Sequence, residues 1–479
     1  MANLLSKILK NHNFLSLANN GLVAVLAFFS FVVLVRSLPT NDFGEWILFI
    51  TATNFLDMLR FGITRTAIVR FLSGANEKEG KELIGSNYLI NLVTSAIIII
   101  VVFVINYFFS DSISDSGFSL FFTWFPVIAI ISLPFNNALS VLQARLRFDL
   151  ILLLRIVNVG VFMLFLIINY FFLHWGLLEI TWVYLLTALL SSLVTMIFNW
   201  DGIRYVFMAK SHANKKILDF GKYTTGTLIG SNLLKSADTF IIGLSPFLGT
   251  TAVALYSIPL KLTEIIEIPV RSYAMTAFPG MSKASIEGKK AEVKRLYYQN
   301  AGGLLYMLIP VMIFCFIFAE EFVTILGGAE YAKTANIFRI FCFYGLLLPI
   351  DRLTGVALDS VNMPKQNFIK VIYMTSANII GDSFIVFGVY YVVLALSALT
   401  LIFSGIDDMD NFIKVITDFS TIKVLELVAI VTLMFSVIGI LVGFNYLNKE
   451  LNLQFRKIFS GGIAFFSVFI RKALSGNSN

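Results

Sequence analysis

Charge is scarce in this sequence. Only 14% of its 479 residues are charged, whereas 58% are hydrophobic and 15% are aromatic. Soluble domains carry about 25% charged residues, and no segment here is polar enough over a sufficient length to form a soluble catalytic domain. Apolar runs of about 20 residues recur instead, which is the length that a hydrocarbon core about 30 Å thick requires. The composition is therefore typical of a polytopic membrane protein.

Cysteine and histidine are also rare, with two and three residues respectively. Cys315 and Cys342 both lie within apolar runs, so neither a disulfide framework nor a metal site is expected. The histidines are too scattered along the chain for a catalytic triad. The segment GANEKEGKE lacks the spacing of a phosphate-binding P-loop, which argues against ATP hydrolysis. We expect no resident cofactor and no enzymatic activity.

The apolar runs between charged residues predict about twelve membrane spans. They lie at 14–35, 43–69, 83–109, 119–142, 150–172, 177–198, 217–243, 250–278, 298–319, 336–360, 368–403 and 421–446. We therefore predict an all-α polytopic membrane protein with two six-helix lobes, 1–205 and 206–447. The apolar core of the remaining cytoplasmic tail, 448–479, is too short to span, so an interfacial helix is expected there.

Basic residues cluster on one set of the loops between these spans. Among them are Lys7, Lys10, Arg145, Arg147, Arg155, Arg204, Lys210, Lys289, Lys290, Lys294 and Lys370. The positive-inside rule then places both termini in the cytoplasm. The net charge of +7 lies mainly beside anionic lipid headgroups. Membrane lipids are therefore expected partners, and nucleic acid is not.

The second predicted span carries charges that lipid would not solvate. Asn54, Asp57, Arg60 and Arg65 lie on one face of a helix with 3.6 residues per turn. Each charge at mid-membrane costs about 2.5 to 3.5 kcal/mol on insertion scales, while a large apolar residue contributes only about 0.3 to 0.6 kcal/mol. This helix is therefore not expected to face lipid all round.

The same pattern recurs in four later spans. The charged residues that repeat it are Lys235, Asp238, Lys261, Glu264, Glu267, Arg271, Asp351, Arg352, Asp359 and Asp382. One interpretation is structural, because Asp57 and Arg60, Lys235 and Asp238, Lys261 and Glu264, and Glu267 and Arg271 have the spacing of helical ion pairs. The other is functional, because ionisable groups within the membrane usually line a transport pathway. Arg65 has no acidic residue three or four positions away, which makes it the leading candidate for a ligand contact.

An internal repeat supports the two-lobed architecture. At an offset of 206 residues, LVRSLPTNDFGEWILFIT lies over FIIGLSPFLGTTAVALYS, and Arg65 coincides with Arg271. Parallel repeats of this kind are common in transporters. Pro259, Pro269 and Pro279 interrupt the eighth span and make it a candidate bending element.

Segments 34–73 and 220–283 resemble the corresponding parts of Wzx-type polysaccharide and O-antigen flippases. These belong to the multidrug/oligosaccharidyl-lipid/polysaccharide (MOP) flippase superfamily. The most specific pieces are Leu38, Pro39, Phe43 and Gly44 before the second span, then 238–256 and the FPGMSK that closes the eighth span. The similarity in layout extends from about residue 10 to 450.

The resemblance implies a MATE-like transporter with a central cavity. Its cargo would be an oligosaccharide on undecaprenyl pyrophosphate, moved across the bacterial inner membrane by alternating access for surface polysaccharide biosynthesis, with a polysaccharide polymerase as a further partner. Arginine binds phosphate with two charge-assisted hydrogen bonds. The predicted substrate-binding residues are Arg65, Arg271, Arg60, Lys235, Lys261 and Asn54. The drug-exporting branch couples to cations through a carboxylate in the first span, which this chain lacks. Coupling to H⁺ or Na⁺ would instead use Asp57, Asp238, Asp359 or Asp382.

Two other functions remain open from the sequence. A multidrug antiporter would share the fold. The candidate charges nearly balance and do not decide between anionic and cationic cargo: six bases, Arg60, Arg65, Lys235, Lys261, Arg271 and Arg352, face seven acids, Asp57, Asp238, Glu264, Glu267, Asp351, Asp359 and Asp382. A polytopic glycosyltransferase or polymerase would need a metal and sugar-phosphate site, for which the D-x-D in IDDMDNF, residues 406–412, is a candidate. A solvated acidic turn also explains that motif.

Overall fold

The structure, a computed structural model, describes residues 12–114, 116–389, 391–392, 395, 399 and 409–474. Helices dominate this part of the chain, and it contains no β-strand. The all-α prediction is therefore confirmed. The end of the eleventh predicted span and the start of the D-x-D motif lie outside the described residues, as do Lys7 and Lys10.

The helices before residue 200 form the first half of the chain. They are α1 (His12–Ser37), α2 (Thr40–Leu72), α3 (Glu77–Phe108), α4 (Ser110–Ser114), α5 (Ser119–Ile131), α6 (Leu133–Ala144), α7 (Phe148–Leu173) and α8 (Leu177–Ile197). Two stretches of α7, Ile156–Gly160 and Asn169–Leu173, have π-helical hydrogen bonding. A 3₁₀ helix, Ile203–Met208, follows α8.

The helices after residue 210 form the second half. They are α9 (Ser211–Gly243), α10 (Gly249–Ile286), α11 (Lys290–Ile317), α12 (Ala319–Gly327), α13 (Ala335–Ser360), α14 (Pro364–Ser383), α15 (Met409–Leu451) and α16 (Arg456–Leu474). A 3₁₀ helix, Ala329–Thr334, precedes α13, and a π-helical stretch, Phe384–Val389, continues α14. Helix α10 runs through all three of its prolines without a break.

Every predicted span has a helix at its position, which confirms the polytopic membrane fold. Within the described residues, eight helices are long and apolar enough to cross a membrane, or nine if α5 and α6, bent by 49° at their junction, form one span. The apolar part of α1, Gly21–Ser37, is shorter, and α9 and α10 are not among the eight. The count of twelve spans is therefore not confirmed.

The chain divides into two compact units. Unit 1 comprises Met1–Asn232 and Gly249–Ala254, and unit 2 comprises Leu233–Leu248 and Leu255–Asn479. Helix α9 thus contributes to both units, as does α10. The predicted lobe boundaries at 205 and 447 stay predictions.

The LPTNDFG segment, residues 38–44, packs against the second part of unit 1, Gly249–Ala254. Phe43 is fully buried, and a methyl group added at Gly44 would lie only 1.8 Å from the backbone oxygen of Thr250. Thr250 also donates a hydrogen bond to Asn41. Glycine at position 44 therefore permits a backbone contact between α2 and the start of α10 that a larger residue would prevent.

Glycine also positions the C-terminal helix of unit 2. A methyl group at Gly302 of α11 would lie 2.0 Å from the Ile458 carbonyl oxygen, and one at Gly462 of α16 would lie 2.6 Å from the Gly302 carbonyl oxygen. Phe459 and Ile463, on another face of α16, are exposed. Helix α16 therefore packs backbone to backbone on α11 while presenting apolar side chains outward. Its predicted place at the membrane interface stays a prediction.

Candidate functional site

The charged pair of α2 is a closed structural unit. Arg60 Nη1 lies 2.6 Å from Asp57 Oδ1, which confirms the ion pair predicted from their spacing. Arg60 Nε donates to Ser95 Oγ over 2.9 Å, and Nη2 donates to the Ala129 carbonyl. The Arg60 side chain is completely buried. Its guanidinium is therefore used in holding α2 to α3 and α5.

Buried amides extend this polar core of unit 1. Thr64 Oγ1 donates to Asn91 Oδ1 over 2.7 Å. Asn87 and Asn91 both donate to Asn137 Oδ1, over 2.7 and 2.8 Å. These three asparagines were not among the predicted site residues, although Asn87 and Asn91 have helical spacing on α3 and could have indicated a polar face. Asn54 has an exposed side chain.

Arg65 lies in a different environment from Arg60. Its side chain is exposed, and its guanidinium is close enough to that of Arg155 on α7 for the two charges to repel each other. Among the described residues, neither arginine forms an ion pair with a carboxylate. The buried Arg155 Nε has no hydrogen-bond partner there. The described part of unit 1 thus has two neighbouring cations that lack a carboxylate partner.

Arg155 did not emerge from the sequence as a site residue. It was grouped with the basic loop residues, but it is the last residue of the first α-helical stretch of α7, directly before the Ile156–Gly160 π-helical stretch. π-Helical turns within α-helices occur frequently at functional sites. Its position within a span, beside the leading candidate Arg65, is the signal that could have identified it.

Three bases of unit 2 surround one carboxylate. Glu267 Oε2 lies 3.8 Å from Lys235 Nζ, 3.8 Å from Arg271 Nε and 3.5 Å from Arg352 Nη2. We call these four residues the Glu267 cluster. The predicted pairing of Glu267 with Arg271 is confirmed. Three positive charges against one negative charge leave a surplus of two positive charges.

The basic side of the Glu267 cluster is exposed. The side chain of Glu267 is 11% exposed, whereas those of Lys235 and Arg271 are each 47% exposed and that of Arg352 is 35% exposed. Tyr344 donates a hydrogen bond to Glu267 Oε1 over 3.3 Å. Arg352 Nε is buried without a partner among the described residues. The arrangement can accept a further anion.

The ion pair predicted between Lys235 and Asp238 is wrong. Lys235 lies within reach of Glu267 instead, and the oxygens of Asp238 accept hydrogen bonds from three other side chains. Lys235 and Asp238 therefore contact different residues, and these partners lie on other helices. The predicted pair of Lys261 and Glu264 is confirmed, at 2.9 Å, with the Glu264 side chain 54% exposed.

Asp238 belongs to a buried polar site with Asp382. Asp238 Oδ2 accepts from Tyr256 over 2.7 Å and from Thr432 over 3.0 Å. Asn378 Nδ2 donates to Asp238 Oδ1 over 2.8 Å and to Asp382 Oδ2 over 3.0 Å. We call these five residues the Asp238 site. All five side chains are buried.

Two acceptors of the Asp238 site are unused. Asn378 Oδ1 and Asp382 Oδ1 are buried and have no hydrogen-bond partner among the described residues. A buried acceptor without a partner is costly unless a donor or cation reaches it. No group of three or more His, Cys, Asp or Glu side chains suited to a metal ion occurs in the described part of the chain. The site's two carboxylates, amide and hydroxyl oxygens instead suit a proton or a small hard cation.

Two further charged residues lie near the same helices. Asp359 has an exposed side chain whose oxygens both accept from Asn367 Nδ2, over 3.0 Å. Lys370, predicted to be a loop residue, is buried in α14 with its Nζ 2.6 Å from Asp351 Oδ1. That assignment is corrected: Lys370 forms a buried ion pair between α13 and α14.

Comparison with known proteins identifies the family. A family model described as polysaccharide biosynthesis protein matches residues 33–336. The chain is 22% identical over 347 residues to the probable low-salt glycan biosynthesis flippase Agl15 of Haloferax volcanii, which covers 71% of this chain and 70% of that protein.

Solved structures show the same fold. An inward-facing multidrug resistance MATE family transporter of the MOP superfamily has a TM-score of 0.68 at 15% identity, over 89% of this chain and 95% of that chain. The inward closed conformation of the lipid II flippase MurJ has a TM-score of 0.64 at 14% identity, over 97% and 93%. The predicted MATE-like architecture and the resemblance found in the sequence are confirmed. This chain belongs to the polysaccharide biosynthesis protein family and has the fold of the MOP flippase superfamily.

Proposed function

We propose that the protein is a flippase that moves an oligosaccharide on undecaprenyl pyrophosphate across the bacterial inner membrane by alternating access. The cargo would serve surface polysaccharide biosynthesis, such as that of O-antigen or capsule. Both termini would be cytoplasmic, as the basic loops predict. Family membership supports glycan biosynthesis, and the name of the Haloferax volcanii relative supports flipping.

The Glu267 cluster carries the proposal. Its surplus of two positive charges lies on partly exposed side chains within a membrane fold. A pyrophosphate supplies several acceptor oxygens and more than one negative charge, and guanidinium groups bind such oxygens in pairs. The unused Arg352 Nε supports an additional acceptor at this place. A cationic drug, the cargo of the alternative multidrug antiporter, would be repelled by the same surplus.

Unit 1 supplies the second cationic element of the proposal. Among the described residues neither Arg65 nor Arg155 has a carboxylate partner, and Arg155 Nε has no hydrogen-bond partner. Arg65 corresponds to Arg271 in the internal repeat. We assign both arginines to a separate cationic site of unit 1 for an anionic group of the cargo. Arg60 is assigned a structural role, because its donors are bonded within unit 1. Lys261 and Asn54 are not needed by this proposal.

The test is export of surface polysaccharide in a strain that lacks its own flippase. Arg271→Ala and Arg352→Ala should each reduce export by roughly one to two decades, because each removes a charge-assisted phosphate contact. Arg339→Ala is the matched control, since Arg339 lies on the same helix as Arg352 but bonds to Asn336 over 2.6 Å. Immunoblots of membranes check accumulation. Normal export by both cluster variants would refute the assignment of the anion site.

Ion coupling is assigned to the Asp238 site. Of the four predicted carboxylates, Asp238 and Asp382 share a buried site with two unused acceptors, whereas Asp57 is neutralised by Arg60 and Asp359 is exposed. A gradient biases two conformations only if the ion binds them differently. Transport in proteoliposomes should therefore respond to an imposed H⁺ or Na⁺ gradient, and Asp382→Asn should abolish the response. Indifference of the wild type to both gradients would eliminate coupling.

A further inference from the structure

The Glu267 cluster contains an anion of its own. Lys235 is attracted most strongly by Glu267 and more weakly by Glu264, and it is repelled by both Arg271 and Arg352. Glu267 contacts all three bases and so holds them near one another. Without that charge, three cations would face each other across a few ångströms. Glu267 therefore lies between the three bases, at the position where they would also bind a phosphate group.

The contacts of Glu267 are long compared with the structural ion pairs of the same protein. They measure 3.5 to 3.8 Å. Asp57 and Arg60 approach to 2.6 Å, as do Asp351 and Lys370. Charge-assisted hydrogen bonds are usually about 2.7 to 2.9 Å long. Glu267 is thus shared among three bases without a short bond to any of them.

The surroundings of Glu267 keep the carboxylate in place while leaving the bases available. Tyr344 donates to Glu267 Oε1, so the carboxylate is held from its own side. The carboxylate is nearly buried, whereas the three bases keep between 35% and 47% of their side chains exposed. An incoming anion would reach the bases first and compete with Glu267 for them.

We infer that Glu267 is an internal competitor of the cargo phosphate, which holds Lys235, Arg271 and Arg352 in place between transport cycles and speeds release of the pyrophosphate. The inference rests on the proposed function. A cationic site without this competitor would hold a pyrophosphate more tightly than a carrier requires. Uniformly tight binding favours the loaded state and does not increase turnover. Glu267 is therefore a residue that sets affinity by opposing the ligand.

The experiment separates binding from transport in the purified full-length protein. The probe is farnesyl pyrophosphate, with farnesyl monophosphate for comparison. Glu267→Gln keeps the shape and removes the charge, so it should bind the pyrophosphate about tenfold more tightly, with a steeper loss of affinity as salt is added. Export by the same variant should fall, because release becomes slower. A residue that only stabilises the fold would lower binding and export together.

Two further variants complete the test. Glu264→Gln is the matched control. It removes the same charge three residues away, from a side chain that is paired with Lys261 and attracts Lys235 less strongly than Glu267 does, so it should change probe affinity much less than Glu267→Gln. Glu267→Asp withdraws the carboxylate while keeping its charge, and should tighten binding less than Glu267→Gln. If Glu267→Gln does not accumulate in the membrane, Glu267→Asp provides the binding measurement in its place.

The outcomes distinguish this inference from the proposed function. Tighter binding together with slower export supports Glu267 as a competitor. Unchanged or weaker binding in both Glu267 variants, with a wild type that binds the probe, overturns the inference alone. If the wild type binds the pyrophosphate no better than Arg271→Ala does, the proposed anion site fails and the inference fails with it.

Discussion

The internal repeat relates two spans that both carry acidic and basic residues. One holds Asp57 and Arg60 in unit 1, and the other holds Glu267, which contacts three bases in unit 2. In the first, one acid faces one base at 2.6 Å, and the other donors of the base are bonded to Ser95 and Ala129. In the second, one acid faces three bases at 3.5 to 3.8 Å. The balance of charges and the use of each donor, not the presence of ionisable residues, therefore separates a structural group from a binding site.

The closed pair should show the largest effect when it is broken. Arg60→Leu would leave Asp57 unpaired and partly buried, and would remove the hydrogen bonds to Ser95 and Ala129. Losing one partner of a buried ion pair costs about 3 to 5 kcal/mol. We expect little or no accumulation in the membrane, measured by immunoblot and by the melting temperature of purified protein.

A double variant sharpens that result. Asp57→Asn combined with Arg60→Met removes both charges, and should restore part of the accumulation lost in Arg60→Leu, because no uncompensated charge remains. If Arg60→Leu accumulates normally and melts at the wild-type temperature, the structural role of Arg60 is wrong and a ligand role becomes the better assignment.

The arginines of unit 1 should show an intermediate effect, on transport alone. Arg65→Ala and Arg155→Ala each remove a cation without a carboxylate partner, so accumulation should be normal while export falls by roughly one decade or more. Arg65→Lys keeps the charge and loses the planar donor geometry, and should lie between wild type and Arg65→Ala. Export equal to wild type in both alanine variants would exclude unit 1 from cargo binding.

The exposed pair on α10 should show the smallest effect. Lys261 and Glu264 approach to 2.9 Å, but more than half of the Glu264 side chain is exposed. Exposed ion pairs contribute about 0 to 1 kcal/mol. Glu264→Gln should therefore leave the melting temperature within a few degrees of wild type and export unchanged. A strong loss of export would mean that side-chain exposure and ion pairing do not distinguish structural charged residues from cargo-binding ones.

Sequence patterns predicted what depends on neighbours in the chain. The positions of the helices followed from the apolar runs, although the count of twelve spans is not confirmed. The pairs Asp57 with Arg60, Lys261 with Glu264 and Glu267 with Arg271 followed from helical spacing. These features need only one helix to form. The exposed Arg65 without a carboxylate partner could be identified for the same reason.

The rest depends on which helices pack together. Lys235 and Arg352 reach Glu267 from α9 and α13, so no local spacing indicates the cluster. Asp238 was assigned to Lys235 by spacing, but Asn378 and Thr432, 140 and 194 residues away, take its oxygens. Lys370 was predicted to lie in a loop, but it is in the second turn of α14, where its side chain is buried and paired with Asp351. Tertiary packing decides such cases.

The central claim is that the surplus charge of the Glu267 cluster binds the pyrophosphate of the cargo. The most direct measurement is translocation of a fluorescent polyprenyl pyrophosphate in proteoliposomes, compared with the corresponding monophosphate, for the wild type, Arg352→Ala and the control Arg339→Ala. We predict that wild type and Arg339→Ala prefer the pyrophosphate and that Arg352→Ala loses both rate and preference. Equal preference in all three proteins would contradict the claim.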